Sequence, residues 1–271
     1  MLKGDMKQKL QSGEVAVGIF FKTNNQNMAE MMAYTGYDFI IVDNEHSNFD
    51  HVDVENIIRA ADGVNLHTIV RIPSGSEENI LHSLDSGASG IQVPSLRNVD
   101  DVKAMIPFTK YYPAGHRGMN INQRAAKYGF MTGAEYFKAA NENTMVVVHV
   151  ENLEMAAQTE ALCQIPEVDV IFIGPGDLSQ AVGKPMQPNA PEVLEVIDGI
   201  IEAAKKYNKI IGVWVGNLAD AQRYIEKGVC YIGFLSDSAI IVNALKETSK
   251  QVETLKQMKA RISPVLEKEK L

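Results

Sequence analysis

Cysteine is nearly absent: Cys163 and Cys230 are the only two among 271 residues, far apart and in apolar surroundings. That excludes a disulfide-stapled fold or a thiolate metal cluster. It suits core thiols in a reducing compartment, so a cytoplasmic location is expected. The chain also lacks the roughly 18-residue apolar run that a membrane span requires. Its start, Met1-Leu-Lys-Gly-Asp-Met-Lys-Gln8, has no continuous apolar stretch of the secretory kind. Basic charge is in deficit too, with 26 Lys and Arg against 34 Asp and Glu, a net charge of −8. An acidic surface without a basic patch argues against nucleic acid as a partner. Finally, no candidate strand interior carries a lysine suited to imine chemistry, since Lys110, Lys127 and Lys184 fall in loop-like stretches.

What is present is an alternation of short apolar runs and helical patterns. Eight strand-like segments are Val15–Phe21, Asp38–Asp43, His67–Arg71, Gly90–Pro94, Met145–Glu151, Asp169–Ile173, Ile210–Val215 and Cys230–Leu235. Their β-branched, mostly apolar composition fits parallel strands buried on both faces. Between them, Asn27–Thr35, Val52–Ala61, Glu77–Asp85, Val99–Ile106, Leu153–Cys163, Val193–Lys206, Leu218–Glu226 and Ser238–Lys250 place apolar residues at helical spacing. Gly36, Gly63, Gly87 and Gly228 are expected to be left-handed helix C-caps. The pattern predicts one α/β domain over residues 1–271, a (β/α)8 TIM barrel, in preference to an open doubly wound sheet. A charged helical tail over about 248–271 is expected to be interrupted at Pro264. Two long connections, Pro107 to about Thr132 and Gln180–Pro191, are each placed to cover the active face.

Four of the apolar runs end on residues with chemical potential. In a parallel barrel the C-terminal strand ends meet on one face, where the chemistry is done. Glu151 and Asp177 each follow such a run and are the candidate metal ligands, because hard divalent cations prefer carboxylate oxygens. Helix capping is the plainer reading of Asp177, which precedes Leu178 and Ser179. His46, in Asp43-Asn-Glu-His46, is suited to moving a proton, with Asp43 and Asp85 as candidate carboxylate partners; a structural role is the alternative. Arg71 ends the third run and either clamps substrate charge or makes a salt bridge within the barrel. Gly174-Pro-Gly176-Asp177 forms a short glycine loop at a helix start that fits a small carboxylate rather than a nucleotide, having no Walker lysine. The set describes a metal-assisted carbon–carbon lyase of the class II aldolase kind, acting on a pyruvate-type donor.

The same residues resemble the HpcH/HpaI aldolase family, metal-dependent pyruvate aldolases, from about Gly13 to Ile241. The resemblance rests on Asp43-x-Glu45-His46, Val70-Arg71-x-Pro73, Leu84-Asp85-x-Gly87-Ala88, Val93-Pro94, Arg117-Gly118, Glu151 and Val168-Asp-x-Ile-Phe-Ile-Gly-Pro-Gly-Asp-Leu-Ser179. It implies a barrel of the phosphoenolpyruvate/pyruvate-domain type. It further implies that Glu151 and Asp177 hold Mg²⁺, Mn²⁺ or Co²⁺, and that Arg71 contacts the keto oxygen. His46 and Asp85 would form a proton-transfer dyad, and the backbone at Gly176 would hold the substrate carboxylate. The substrates would be a small 2-keto acid and an aldehyde, and the assembly a homo-oligomer, a hexamer with exchanged C-terminal helices. Three positions depart from the pattern. His149 stands where many relatives have glutamine, and is expected to tune metal, pH response or donor, or to act as a third ligand. Trp214 is bulkier than the usual aliphatic residue and is expected to reshape the pocket. Gly176 replaces a common alanine. A CoA-thioester lyase of the citramalyl or malyl type and a non-catalytic ligand-binding barrel are the competing readings; the first lacks an evident basic cluster for a nucleotide tail.

Overall fold

A computed structural model describes residues 5–266, with side chains over residues 5–258. The eight strands are β1 (Ala16–Phe21), β2 (Phe39–Asp43), β3 (His67–Arg71), β4 (Gly90–Val93), β5 (Met145–Val150), β6 (Val170–Ile173), β7 (Ile210–Val215) and β8 (Tyr231–Ser236). Each pairs in parallel with the next, and β8 returns to β1, so the sheet closes into a barrel in strict chain order.

Strand periodicity sorts the side chains into two cores. Ile19, Ile40, Val70, Ile91, Val148 and Ile171 face outward and pack under the helices. Their neighbours Phe20, Phe39, Ile41, Ile69, Val147 and Phe172 fill the interior. Phe20 on β1 meets Phe172 on β6 with ring centroids 6.3 Å apart, a contact between non-adjacent strands that only a filled interior allows. Small residues make room for these rings. A Cβ on Gly18 would collide with the Phe39 ring, and one on Gly212 would lie 2.8 Å from both Phe172 and Tyr231. The barrel is therefore a packed core, and its open face is left to the loops.

Twelve α-helices among the described residues complete the fold: α1 (Asp5–Gln11), α2 (Gln26–Tyr34), α3 (His51–Gly63), α4 (Glu77–Asp85), α5 (Val99–Met105), α6 (Gly133–Asn143), α7 (Leu153–Ala157), α8 (Thr159–Cys163), α9 (Pro175–Ala181), α10 (Pro191–Lys206), α11 (Leu218–Glu226) and α12 (Asp237–Leu266). Helix α1 was not expected. It plugs the N-terminal mouth, with Met6 and Leu10 joining the inner core. Helix α6 occupies a stretch left unassigned after the first long connection and starts on a capping box between Thr132 and Glu135. The single helix expected over Leu153–Cys163 is two, because the Thr159 hydroxyl donates to the Ala156 carbonyl (2.8 Å) and competes for the helical acceptor.

Gly36, Gly87 and Gly228 take the expected left-handed conformation, but Gly63 does not; α3 runs through it, and Asn65 makes the turn at φ 60°. Helix α12 continues through Pro264 to Leu266, so the expected interruption does not fall within the described residues. The last part of that tail, residues 267–271, lies outside the described residues. Both cysteines are buried and free. No helix among the described residues is long and apolar enough to cross a membrane.

Candidate active site

Parallel topology delivers the ends of β1, β2, β3, β5 and β6 to one face. A cavity of about 240 Å³ there brings together Lys22, His46, Arg71, His149, Glu151 and Asp177, with Gly176 and Trp214 also on its wall. Seven of the eight residues singled out from the sequence thus share one space. A wider hollow of about 670 Å³ lies at the opposite mouth, beside α1. It holds an Asp5–His67 ion pair at 2.9 Å but none of the strand-end carboxylates.

Asp43 is fully buried at the end of β2 and anchors the cationic side of the cavity. It accepts from Arg71 Nε (2.8 Å) and Nη2 (2.7 Å), a bidentate pair, and lies 3.1 Å from Lys22 Nζ. Its Oδ1 also accepts from the backbone N–H groups of Glu45 and His46, which shapes the loop after β2. Burial alone would push its carboxyl up, but the hydrogen bonds and charge of Arg71, with the His46 N–H and Lys22, hold it below the ordinary aspartate range. Arg71 Nη1 reaches Glu45 at 2.9 Å, and its guanidinium lies 4.7 Å from the Phe20 ring centroid. Arg71 makes the barrel salt bridge that one sequence reading expects, and it also lines the cavity.

Glu151, just past β5, lies across the cavity. Its Oε2 is 2.7 Å from His149 Nδ1 and its Oε1 accepts from the Ser95 backbone N–H at 2.6 Å. Burial opposes its ionisation, yet His149 and the Ser95 N–H prevail, and its carboxyl is lowered to about 2. Asp177 sits exposed in the first turn of α9 and carries no hydrogen bond or ion pair among the described residues. The two carboxylates flank Gly174: a Cβ there would lie 3.3 Å from Glu151 Oε2 and 3.7 Å from Asp177 Oδ2. One ionised and braced carboxylate beside one unpartnered carboxylate is a donor set that fits a hard divalent cation, with room for water and a bidentate ligand. The first N–H groups of α9, at Gly176 and Asp177, have no intrahelical acceptor.

His149 has no nitrogen to spare for an ion. Nδ1 faces Glu151, and Nε2 lies 2.7 Å from the Gln92 amide nitrogen. The Tyr231 hydroxyl donates to Gln92 Oε1 at 3.2 Å, so a buried chain runs from the barrel interior to Glu151. The amide donating to Nε2 leaves the proton on Nδ1, where it meets the carboxylate. His149 braces Glu151 and is not a third ligand in this arrangement.

Asp85 is not brought to this cavity. Helix α4 runs back from the end of β3 to the start of β4, so its last residue sits at the N-terminal face. There Asp85 accepts from Arg117 Nη2 at 2.6 Å. Exposed His46 has Glu45 beside it instead, at 3.7 Å, and the His46–Asp85 dyad does not form within one chain. The Pro107–Thr132 connection follows Asp85 away from the active face, with Arg124 gripping Asp62 and the Ser86 carbonyl. Only Gln180–Pro191 approaches the cavity. Its Met186 and Pro188 line a neighbouring hollow of about 240 Å³ that shares Trp214 as a wall. Trp214 is 43% exposed, and its indole N–H donates to the Leu235 carbonyl at 3.4 Å.

Sequence reasoning missed Lys22, Gln92 and Ser95. The strand-end rule that found Arg71 applies equally to Lys22, which directly follows β1. Gln92 is a polar residue in an otherwise apolar strand, which was its signal. Ser95 acts through its backbone at φ 60° and had none.

Comparison with known proteins finds relatives over most of the chain. The model for the HpcH/HpaI aldolase/citrate lyase family matches residues 16–244. A hydroxypyruvate/pyruvate aldolase of Pseudomonas aeruginosa is 31% identical over 242 residues, covering 89% of this chain and 90% of that protein. A 4-hydroxy-2-oxo-heptane-1,7-dioate aldolase of Salmonella typhimurium is 27% identical over 241 residues, covering 89% and 91%. The solved structure of an HpcH/HpaI aldolase/citrate lyase family protein from Burkholderia cenocepacia J2315 superposes with a TM-score of 0.86 at 28% identity, over 93% of this chain and all of that one.

Proposed function

The chain belongs to the HpcH/HpaI aldolase/citrate lyase family, and from that premise we propose that it is a class II aldolase. In this reading it reversibly cleaves a 4-hydroxy-2-oxo acid into pyruvate and an aldehyde, and depends on a divalent metal. The observation that carries the reading is the meeting of Glu151 and Asp177 with Arg71 in one cavity at the barrel's C-terminal face.

A divalent cation held by Glu151 and Asp177, Mg²⁺, Mn²⁺ or Co²⁺, would supply the Lewis acidity that makes a 2-oxo acid easier to enolise. The residues do the rest. Arg71, locked by Asp43 and Glu45, keeps positive charge where negative charge grows on the keto oxygen, and needs no rearrangement to do so. The N–H groups of Gly176 and Asp177 receive the donor's carboxylate. His46, at the exposed rim, moves the proton on the aldehyde side. His149 keeps Glu151 oriented. Trp214 and the hollow beyond it bound the space left for the aldehyde. Lys22 pairs with Asp43 and adds positive charge; this pairing speaks against an imine-forming role.

The CoA-thioester lyase reading finds less support, because Lys22 and Arg71 are the only Lys or Arg among the described residues lining the cavity, too few to hold a nucleotide tail as well as a substrate. Oligomerisation belongs to the proposal. Leu245, Val252, Leu255 and Met258 are exposed along α12 and give a second copy an apolar face to cover. A second copy is also the remaining source of Asp85 for His46. The experiment is a panel of 4-hydroxy-2-oxo acids with released pyruvate read by a lactate dehydrogenase couple. Pyruvate release that stops with EDTA and returns with Mg²⁺ or Mn²⁺ is expected. Release that EDTA leaves untouched would overturn metal dependence, and no release from any member would count against the aldolase.

A further inference from the structure

One cluster of metal-type donors stands apart from the active cavity. We propose that His51, Glu78 and His82 form a second cation site, selective for a borderline ion such as Zn²⁺, Ni²⁺ or Cu²⁺ over Mg²⁺ and Mn²⁺. This inference does not depend on the aldolase reading.

One ligand atom from each of the three residues lies within 4.8 Å of the other two. Two rigid helices set that distance. His51 is the first residue of α3, whose start is fixed by a capping box between Asp50 and Asp53. Glu78 and His82 are four residues apart on α4 and so share a face. The two imidazoles stack with centroids 4.2 Å apart and planes at 26°, so binding one ion requires both exposed rings to turn out of the stack until their in-plane lone pairs converge. Neither ring has a hydrogen bond or ion pair among the described residues. Their nitrogen lone pairs are therefore uncommitted, unlike those of His149.

A tetrahedral ion bonded at about 2.0–2.2 Å places its donors about 3.3 Å apart. From the 4.8 Å limit the three atoms need to close by at most about 1.5 Å, within the rotation of exposed side chains. Two imidazoles and one carboxylate suit zinc and its neighbours, and leave the fourth position to water. Magnesium prefers all-oxygen octahedra and has little to gain here.

The position gives the site a consequence. Asn44, Ile72 and Pro73, from the segments leaving β2 and β3, line the small hollow that both histidines border. A bound ion would clip α3 to α4 where those segments enter the helices, behind the strand ends that carry Asp43 and Arg71. It acts as a structural clip on the active-site wall.

The test uses the full chain and Cu²⁺ alone as the probe, at one equivalent, read by electron paramagnetic resonance. The parent is expected to show nitrogen superhyperfine splitting from two imidazoles. His51→Ala and His82→Ala should each lose it, and Asp177→Ala should keep it. In parallel, Zn²⁺ at a hundredfold excess over Kd should raise the parent's Tm by roughly 5 °C. That rise should vanish in His82→Ala while circular dichroism shows the variant folded. Identical copper spectra in the parent and both histidine variants would overturn the site. So would a zinc shift that survives in His82→Ala.

Discussion

Replacing Asp43 by asparagine tests how the cavity is held together. The substitution keeps the side chain's shape but removes its charge and one acceptor oxygen. Arg71 Nε and Nη2 now face Oδ1 and Oδ2 at 2.8 and 2.7 Å. In Asp43→Asn one of those N–H groups meets an amide NH₂. Breaking a buried ion pair from one side costs about 3–5 kcal/mol, because the remaining charge stays buried. Glu45 still holds Arg71 Nη1, so the lower end, about 3 kcal/mol, is expected. For a chain of this size that is a fall in Tm of roughly 6–12 °C.

The catalytic loss should be larger than this fall in stability implies, since the folded variant still mispositions Arg71 and the loop bearing His46. A displacement of about 1 Å at a reacting centre costs about a hundredfold in rate. Chemical denaturation and steady-state pyruvate release, measured on the same preparations, separate the two effects. The pH dependence carries its own sign. Asp43 has a lowered carboxyl in the folded state, so its stabilisation is present above the unfolded aspartate value and is lost as pH falls through the folded one. Asp43→Asn should therefore lose less stability than the parent on acidification. A variant within about 0.5 kcal/mol and threefold of the parent would refute the role given to this pair.

Other positions follow from the same contacts. Arg71→Ala should lower kcat by about 100- to 1000-fold while changing metal affinity much less, as expected for a charge that acts on the reacting oxygen; isothermal titration with Mn²⁺ beside kinetics checks the split. His149→Gln should keep metal binding, with at most about a 10- to 100-fold loss of affinity, because neither ring nitrogen is free in the parent; loss of Mn²⁺ affinity well beyond about a hundredfold would identify a ligand and not a brace. Gly18→Ala should cost about 1–3 kcal/mol by forcing a Cβ into the Phe39 ring, and thermal denaturation without loss of Mn²⁺ binding would show it.

Much of the barrel was legible because buried parallel strands are nearly continuous β-branched runs, and Ile210–Val215 and His67–Arg71 came out with their observed bounds. Helix α6 was left unassigned between the first long connection and β5 although Thr132 and Glu135 spell its start. The strand-end residues were legible for the same reason as the strands: a charge after an apolar run in a parallel barrel has one face to occupy. Asp85 was misplaced because it ends a helix, and helices run opposite to the strands. A residue closing α4 therefore lies one barrel length from a residue closing β2. The bracing chain of Tyr231, Gln92 and His149 was beyond the pattern, since it joins β8, β4 and β5 across the interior and no local spacing encodes that meeting.

The central claim is that this cavity enolises pyruvate. Solvent deuterium exchange into the pyruvate methyl group, followed by proton NMR, tests it without knowledge of the aldehyde. With Mg²⁺ or Mn²⁺ the methyl signal should decay, EDTA should stop the decay, and Asp177→Ala should be silent while remaining folded. Folded parent protein that leaves the methyl signal intact under every divalent metal would contradict the account.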